Sequence, residues 1–387
     1  MGTALFESLF VMRRGNFMKH LLRALTLAAL ILLEIFPTSA HEANNFCLPL
    51  DVEMADVGPF LETVHTMALQ KAVDEINADI EKAIKTRNEA ARQRRLERLH
   101  DPKALSKGFL KQFGHPMIED KQLESALRGD WARQTYGGQK PEHQDISMNF
   151  SAHSTLDLRR WMMLTQSRTV KAYGVYFGAD KFVHFHHLGA AYYWMYESLV
   201  EAGLGREEAY RKVIEHYAEN GILSEEAIFG AISTGVYSNA DLAANHVGFK
   251  FYMNLTEKVV LKGEEREPLL TRSGVFWRLN RHVRSGSGWF AAFISDHWNE
   301  ALNPNRYGSS MRRGIRRILE SRAKEIVQFY TQKNGRPEDP AYFDNLAREL
   351  STYYGEAYGH SGQLETLMTI GNTCIPAMRR LAAPGGN

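Results

Sequence analysis

The strongest constraint on the fold is an eight-residue segment, Asp180 to His187, that contains one carboxylate and three imidazoles. An apolar and aromatic run, Leu188 to Leu199, follows it directly. In a helix, Asp180, His184 and His187 stand at positions i, i+4 and i+7 and share one face. Such a face indicates either a metal site or a buried polar network. The segment therefore predicts a polar centre inside a helical protein.

Helical patterns dominate the rest of the chain. Residues 57–99 place apolar side chains at helical spacing first and a dense run of charged side chains later, which predicts one long helix, broken at most once. Apolar spacing, capping residues and terminal glycines predict further helices over 120–129, 156–166, 180–199, 206–220, 239–262, 312–334 and 340–354. No stretch shows a clear strand pattern. The predicted fold class is mainly α, an irregular helical bundle with a long, charged N-terminal helix.

The first forty residues have the pattern of a secretory signal. Basic residues at Arg13, Arg14, Lys19 and Arg23 precede a short apolar run over 25–33, and small residues end at Ala40. This pattern predicts cleavage after Ala40 and export to the periplasm or the medium. The apolar run is short for a membrane span, and retention as an anchor is the alternative.

A polar, glycine-containing segment over 136–151 divides the remaining chain. It predicts an N-terminal helical arm over 41–135 and a helical core domain over 151–376. The arginine-rich part of the arm, which includes Arg92, Arg94, Arg95 and Arg98, is either a solvated helix face or a surface that contacts anionic lipid headgroups. The whole chain has 47 basic and 45 acidic residues, and 43 of each remain after Ala40. This balance argues against a general nucleic-acid binder.

The chain has two cysteines, Cys47 and Cys374, near opposite ends of the predicted mature protein. Each is followed directly by an apolar residue and then by a proline. An oxidising compartment favours one disulfide between them, which would tie the arm to the C-terminal segment. The alternative is two unrelated buried thiols.

Two further segments repeat the spacing of polar residues. Asp241 precedes Asn245 by four residues among small alanines, and Asp296 precedes Glu300 by four residues in a segment that also contains His297 and Asn303. Small residues allow helices to approach closely, and helical bundles assemble metal sites from inward side chains on facing helices. The three segments therefore predict one composite centre. The alternative is ordinary helix capping and a satisfied polar network.

Each side chain of the composite centre has a predicted role. The predicted ligands of a divalent metal, with zinc as the candidate, are Asp180, His184, His187, Asp241 and Asp296. The predicted catalytic residues are Glu300 and His297. The predicted contacts to an anionic, small-molecule or lipid-derived substrate are Lys181, Asn245 and Asn303. Two hypotheses follow: a metal-dependent hydrolase acting on a phosphate-containing or lipid-derived substrate, or a non-catalytic envelope protein that binds a partner or contacts a membrane peripherally.

The six residues Asp180 to Phe185 resemble the short Asp-Lys-x-x-His-Phe signature seen in some small bacterial envelope proteins, including VanZ-like membrane proteins. The resemblance covers these six residues, and no function is inferred from it. The signature motifs of serine hydrolases, P-loop proteins, dinucleotide-binding proteins and Cys-x-x-Cys proteins do not occur in the sequence.

Overall fold

The structure is a computed structural model that describes residues 48–143, 167–216, 236–307, 309–353 and 367–382. This part of the chain is mainly helical, which confirms the predicted fold class. The predicted signal segment, Cys47 and the helix predicted over 156–166 lie outside the described residues. Export and signal cleavage therefore stay predictions.

Two helices make up the predicted long N-terminal helix: α1 (Gly58–Ile84) and α2 (Glu89–His100). The break lies just before Asn88, whose side chain accepts a hydrogen bond from the Ala91 backbone nitrogen at 2.9 Å and caps α2. Helix α1 buries an apolar stripe, whereas α2 has no buried residue. The apolar spacing of α1 therefore packs that helix against the core, and the charged side chains of α2 leave it in water.

The middle of the chain builds the core around two helices. Helix α6 (Gly189–Glu201) continues without a break from a helical turn at Lys181–Val183 and a π-helical turn at His184–Leu188. Helix α8 (Asn239–Asn254) packs along it and is buried on nearly every side. The other helices in this half are α3 (Pro102–Leu110), α4 (Pro116–Arg128), α5 (Asp130–Tyr136) and α7 (Arg206–Ile214).

The C-terminal part forms a smaller helical layer. Its helices are α9 (Ser309–Ser321), α10 (Ala323–Gln328), α11 (Pro340–Leu350) and α12 (Ile375–Ala382), with π-helical turns at Phe329–Lys333 and Ile370–Cys374. Two 3₁₀ turns, Trp289–Phe293 and Asp296–Trp298, precede this layer. They carry the chain from the main core to the loop that contains Glu300.

The expectation of no strands is wrong for several short hairpins. Within the described ranges, the strands form antiparallel pairs: β1 (Thr169–Ala172) with β2 (Val175–Gly178), β3 (Val236–Tyr237) with β8 (Arg306–Tyr307), β4 (Val259–Leu261) with β5 (Glu264–Arg266), and β6 (Leu270–Ser273) with β7 (Phe276–Leu279). The helix predicted over 239–262 ends at Asn254 instead. Lys262 and Gly263 both have positive φ, 53° and 75°, which makes the tight turn between β4 and β5. Strands this short carry too few side chains to show an alternating pattern.

One core joins the predicted arm to the predicted core domain. Leu61 and Ile80 of α1 and Phe109 of α3 belong to the same cluster of buried apolar residues as Phe185 and Phe251. The described residues all fall in one compact unit that spans Ala40–Asn387. The described residues of the arm therefore pack in the same unit as the described residues of the region over 151–376.

A second, smaller core contains both Leu48 and Cys374. Leu48, the residue after Cys47 in sequence, therefore packs in the same apolar cluster as Cys374. Burial raises the pKa of the Cys374 thiol to about 12, which keeps a reduced thiol protonated and unreactive in the folded protein. Cys47 itself lies outside the described residues, so the pairing of the two cysteines stays a prediction.

We expect the exported protein to contain a Cys47–Cys374 disulfide. By the entropy of closing so long a loop, the bond would add about 4–5 kcal/mol to the free energy of unfolding. Thiol labelling in denaturant without reductant should detect no free thiol, and labelling after reduction should detect both. Two labelled cysteines in the unreduced exported protein would show that the thiols are independent.

Candidate functional site

Asp180 begins the polar centre at the junction between β2 and the following helical turn. Its backbone nitrogen donates a hydrogen bond to Ser167 Oγ at 2.8 Å, and its carbonyl oxygen accepts from Val183 N at 2.8 Å. Its side chain makes no capping hydrogen bond to the helix. The carboxylate instead contacts the Lys181 ammonium, with Oδ2 2.9 Å from Nζ. Asp180 therefore caps the following turn through its backbone, and its side chain is not a helix cap.

Lys181 is the centre of the cluster. Its side chain is fully buried, and its Nζ lies 2.5 Å from Asp241 Oδ1 and 2.6 Å from Glu300 Oε1 in addition to its contact with Asp180. Three carboxylates from three separate parts of the chain thus meet one ammonium group. Charged groups this deeply buried are rarely found without such pairing, because desolvation of an isolated charge is costly.

Helix α8 provides Asp241 and Asn245 on one face. Ser238 caps the helix, and its Oγ accepts a hydrogen bond from the Asp241 backbone nitrogen at 3.1 Å, which places Asp241 in the first turn. One turn later, Asn245 Oδ1 lies 3.0 Å from His184 Nδ1. The other ring nitrogen, His184 Nε2, lies 3.5 Å from Asp241 Oδ2. The imidazole therefore rests between the two α8 side chains.

Glu300 reaches the centre from a loop that asparagines hold in shape. Asn299 Oδ1 accepts hydrogen bonds from Ala301 N at 3.0 Å and from the Tyr330 hydroxyl at 3.1 Å. Asn303 Nδ2 donates to the His297 carbonyl oxygen at 2.8 Å. Asn303, predicted to bind substrate, thus supports the loop backbone that positions the Glu300 carboxylate.

Three carboxylates contact one ammonium group, and the pKa values of two of them, Asp180 and Asp241, shift in opposite directions. Burial raises the pKa of Asp180, the negative charge of Asp241 raises it further, and Lys181 opposes both. Burial also acts to raise the pKa of Asp241, but His184 and Lys181 together outweigh it, so this pKa is lowered. Asp180 is therefore the carboxyl group of the pair that takes up a proton first when the pH falls.

One carboxylate oxygen from each of Asp180, Asp241 and Glu300 lies within 4.8 Å of the other two, and these three residues form the potential metal-ligand cluster found in the described ranges. An all-oxygen set of this kind suits hard cations such as Mg²⁺, Mn²⁺ or Ca²⁺ better than zinc. The Lys181 ammonium contacts all three groups, so a metal ion could reach them only if Lys181 moved. Asp180 Oδ1 is buried and has no hydrogen-bond partner within the described ranges.

The structure contradicts the predicted position of His187. The π-helical turn at His184–Leu188 holds more residues per turn than an α-helix, so the i, i+4, i+7 face does not continue past His184. His187 Nε2 lies 3.0 Å from Glu119 Oε2, away from the three carboxylates. A sequence pattern based on regular α-helical spacing cannot show this change of phase.

Asp296 and His297 also have other partners. Asp296 Oδ2 lies 2.6 Å from Arg336 Nη2 in an ion pair. His297 Nδ1 lies 3.0 Å from Ser295 Oγ, and His297 Nε2 lies 3.0 Å from the Thr352 carbonyl oxygen. Burial lowers the pKa of His297 to about 4, so its imidazole is neutral near pH 7. The 3₁₀ turn at Asp296–Trp298 thus gives Asp296 and His297 partners other than the residues of the predicted composite centre.

Sequence reasoning missed a second group of buried titratable side chains. His186 Nδ1 contacts Glu119 Oε1, and His186 Nε2 lies 2.9 Å from His65 Nε2. Glu119 lies on α4, His186 in the π-helical turn and His65 on α1. His65 gave a weak signal as a polar residue within the apolar stripe of α1, but Glu119 gave none, because only the packing of α4 brings it to His186.

Comparisons with protein-family models, with curated proteins and with solved structures found no match. Within the described ranges, no helix has both the length and the apolar composition that crossing a membrane requires. The functional argument therefore depends on the geometry and chemistry of the two buried clusters.

Proposed function

We propose that the three-carboxylate cluster binds a divalent cation and that the protein is a hydrolase for phosphate-containing or lipid-derived substrates. The observation that supports this is the charge of the cluster: three buried carboxylates face one ammonium. One divalent cation together with Lys181 would balance Asp180, Asp241 and Glu300.

Each group would have a distinct part in the reaction. Asp180, Asp241 and Glu300 would hold the cation, which when bound supplies a Lewis acid for a phosphoester and lowers the pKa of water. Lys181, displaced from the carboxylates, would offer a positive charge to the phosphate oxygens. His184, oriented by Asn245 and adjacent to Asp241, is suited to accept or donate a proton.

The same segment of chain supports a substrate with an apolar part. An apolar cavity between α1 and α4 is lined in part by Phe182 and His186. In the sequence, these two residues are close to Lys181 and His184 of the polar centre. A phosphate ester of a lipid has both the anionic group and the apolar chain that these neighbouring features would contact. We therefore favour lipid-derived phosphoesters over small polar ones.

One observation favours the second candidate function, a non-catalytic protein of the cell envelope. The Lys181 ammonium already contacts all three carboxylates, so the cluster has a counter-charge without any ion. In that case the cluster is a structural network that joins α8 to the Glu300 loop. The surface would then carry the function, by contact with a partner or, through the arginine-rich α2, with anionic lipid headgroups.

Metal binding by wild-type and variant protein separates the two candidates. Prepared without a metal-binding tag, the wild-type protein should show a higher melting temperature in Mn²⁺ than in EDTA, by an amount that grows with Mn²⁺ concentration. Asp241→Asn should abolish this shift and the release of phosphate from a short-chain phosphatidic acid. Asp296→Asn is the matched control, since Asp296 pairs with Arg336 outside the cluster, and it should keep both properties.

Equal melting temperatures in Mn²⁺ and EDTA for the wild-type protein, with no bound metal by elemental analysis, would reject the hydrolase proposal in favour of the structural network. A Mn²⁺ shift that persists in Asp241→Asn would place the metal elsewhere and would also reject the cluster as its site.

A further inference from the structure

An apolar cavity lies between α1 and α4. The cavity has a volume of about 450 Å³, within the range of ligand pockets, and most of its wall is apolar. Its apolar wall includes Phe60, Val64, Ala68, Phe113 and Leu123. Met67, which is 66% exposed, also lines the cavity, and outside it Trp131, 49% exposed, packs against Phe60. An apolar chain could therefore pass from this surface into the cavity with little exposure to water.

Two imidazoles, His65 and His186, stand among the apolar side chains of the wall, and both are almost fully buried. His65 Nδ1 lies 2.7 Å from the Leu61 carbonyl oxygen, and His186 Nδ1 contacts the Glu119 carboxylate. Both partners are acceptors, so each Nδ1 carries the hydrogen and donates. The two Nε2 atoms, which then lack a hydrogen in neutral imidazoles, lie 2.9 Å apart.

This contact requires a proton between the two rings. Two bare Nε2 lone pairs at 2.9 Å would repel each other, whereas an N–H···N hydrogen bond has this length. The ring centroids are 5.0 Å apart, so the rings meet nearly head to head, as such a bond needs. The pair therefore carries one positive charge, which the Glu119 carboxylate balances. Stacking on Phe290 and on Phe113, each with centroids 3.8 Å apart, fixes the planes of the His65 and His186 rings.

His65 is the neutral ring of the pair, because the Glu119 carboxylate contacts His186, whereas His65 Nδ1 contacts the Leu61 carbonyl oxygen. Burial lowers the pKa of His65, and the positive charge of His186 lowers it further. Burial acts to raise the pKa of Glu119, but its contacts with His186 and His187 together outweigh burial, so this pKa is lowered. His65 is therefore a neutral acceptor on the cavity wall, and it would hold a proton if a ligand brought a negative charge beside it.

We propose that this cavity binds a single-chain aliphatic carboxylic acid, with the chain along the apolar wall and the carboxylate at His65 and His186. The acid would enter neutral and transfer its O–H proton to His65 Nε2. His186 Nε2–H would turn from His65 to the ligand, so that two N–H donors, 2.9 Å apart before binding, meet the two carboxylate oxygens. The net charge of the buried group stays the same, because acid and proton arrive together.

Several observations favour a fatty acid over other occupants of the cavity. A diester lipid carries no proton to give, and a polar acid would leave the apolar wall uncovered. Glu119 already balances one charge, so an acid that enters with its own proton adds none. The site uses none of Asp180, Asp241 or Glu300, and the proposal does not depend on metal binding or hydrolysis there.

The test is calorimetric titration with dodecanoic acid in EDTA, where the proposed metal centre would be empty. Wild-type protein should bind one equivalent saturably, and methyl dodecanoate, which has no acidic proton, should bind at least 10-fold more weakly. His65→Phe keeps the stack on Phe290 but removes the acceptor nitrogen, and it should weaken acid binding at least 10-fold. His100→Gln is the matched control, because His100 is outside the cavity and bonds the Val275 carbonyl, and it should bind like wild type.

Ala126→Trp keeps the test decisive even if His65→Phe fails to fold. Ala126 is an exposed residue of the cavity wall on α4, so tryptophan there should obstruct the mouth while the protein keeps its melting temperature. No saturable binding of dodecanoic acid to wild-type protein, or unchanged binding to Ala126→Trp, would reject the cavity as the site. Equal affinity for the acid and its methyl ester would reject the role of the histidine pair and leave an unselective apolar pocket.

Discussion

Lys181→Met should lower the free energy of unfolding by about 3–5 kcal/mol at pH 7, because it leaves buried carboxylates without their counter-charge. The methionine side chain fills a similar volume, so the loss would come from charge rather than from a cavity. The expected defect is large since Asp180, Asp241 and Glu300 all contact the ammonium and none is exposed to water. Urea unfolding followed by circular dichroism measures it.

Lys258→Met is the matched control. Lys258 also contacts two carboxylates, with Nζ 2.9 Å from Glu265 and 2.8 Å from Glu267, but it lies on the surface, where water screens the pairs. This variant should unfold at nearly the same urea concentration as wild type. Equal effects of the two substitutions would show that Lys181 is not the buried centre of the cluster.

The pH dependence of the Lys181→Met defect has a definite sign. Loss of the ammonium raises the pKa values of the three carboxyl groups in the folded state, and a group with a raised folded pKa contributes stability below its unfolded pKa that is lost as pH rises. The difference in the free energy of unfolding between wild type and Lys181→Met should therefore become smaller when the pH falls from 7 to about 4, near the ordinary pKa values of Asp and Glu. If the cluster binds metal, Mn²⁺ should also restore much of the lost stability, since it replaces the missing positive charge.

In wild-type protein, Asp180 and Asp241 act in opposite directions. Asp241 has a lowered pKa, so its contribution is present above its unfolded pKa and is lost as pH falls through the folded value. Asp180 has a raised pKa, so its contribution is present at low pH and is lost as pH rises. Asp241→Asn should therefore reduce the loss of stability in acid, and Asp180→Asn should reduce the loss toward neutral pH.

Gly248→Ala should be the most damaging small substitution, with a loss of about 3 kcal/mol or more in the free energy of unfolding. A Cβ atom on Gly248 would lie 2.0 Å from the Phe185 carbonyl oxygen and 2.8 Å from its carbonyl carbon. Both are backbone atoms of the π-helical turn, so they cannot rotate away. Helix α8 would have to separate from the turn, and Asp241 on α8 would move away from Lys181.

Gly108→Ala is the control for this substitution. A Cβ on Gly108, inside α3, would make an ordinary 3.5 Å contact with Ala72 Cβ, and alanine favours the helix by roughly 0.5–1 kcal/mol. Gly108→Ala should therefore unfold at a urea concentration equal to or above that of wild type. A Gly248→Ala protein of wild-type stability would contradict the close approach of α8 to the π-helical turn.

Much of the candidate centre followed from sequence spacing. Asp241 and Asn245 share a face of α8 because four residues make about one helical turn, and His184 meets both of them. Glu300 was expected to reach the centre and does so, although from a loop and with Lys181 as its partner. Lys181 was assigned to substrate, since the sequence shows a lysine beside an aspartate but not whether it faces water.

The sequence by itself determined the helical class and the amphipathic first helix, because apolar periodicity and charge act locally and each residue carries its own preference. Tertiary structure alone decided the pairing of His187 and His186 with Glu119, the partner of Asp296, and the contact of His65 with His186. These depend on the phase shift of one π-helical turn and on close helix approach at Gly248. Both are set by packing between distant segments, so local spacing could not show where each charge would find its partner.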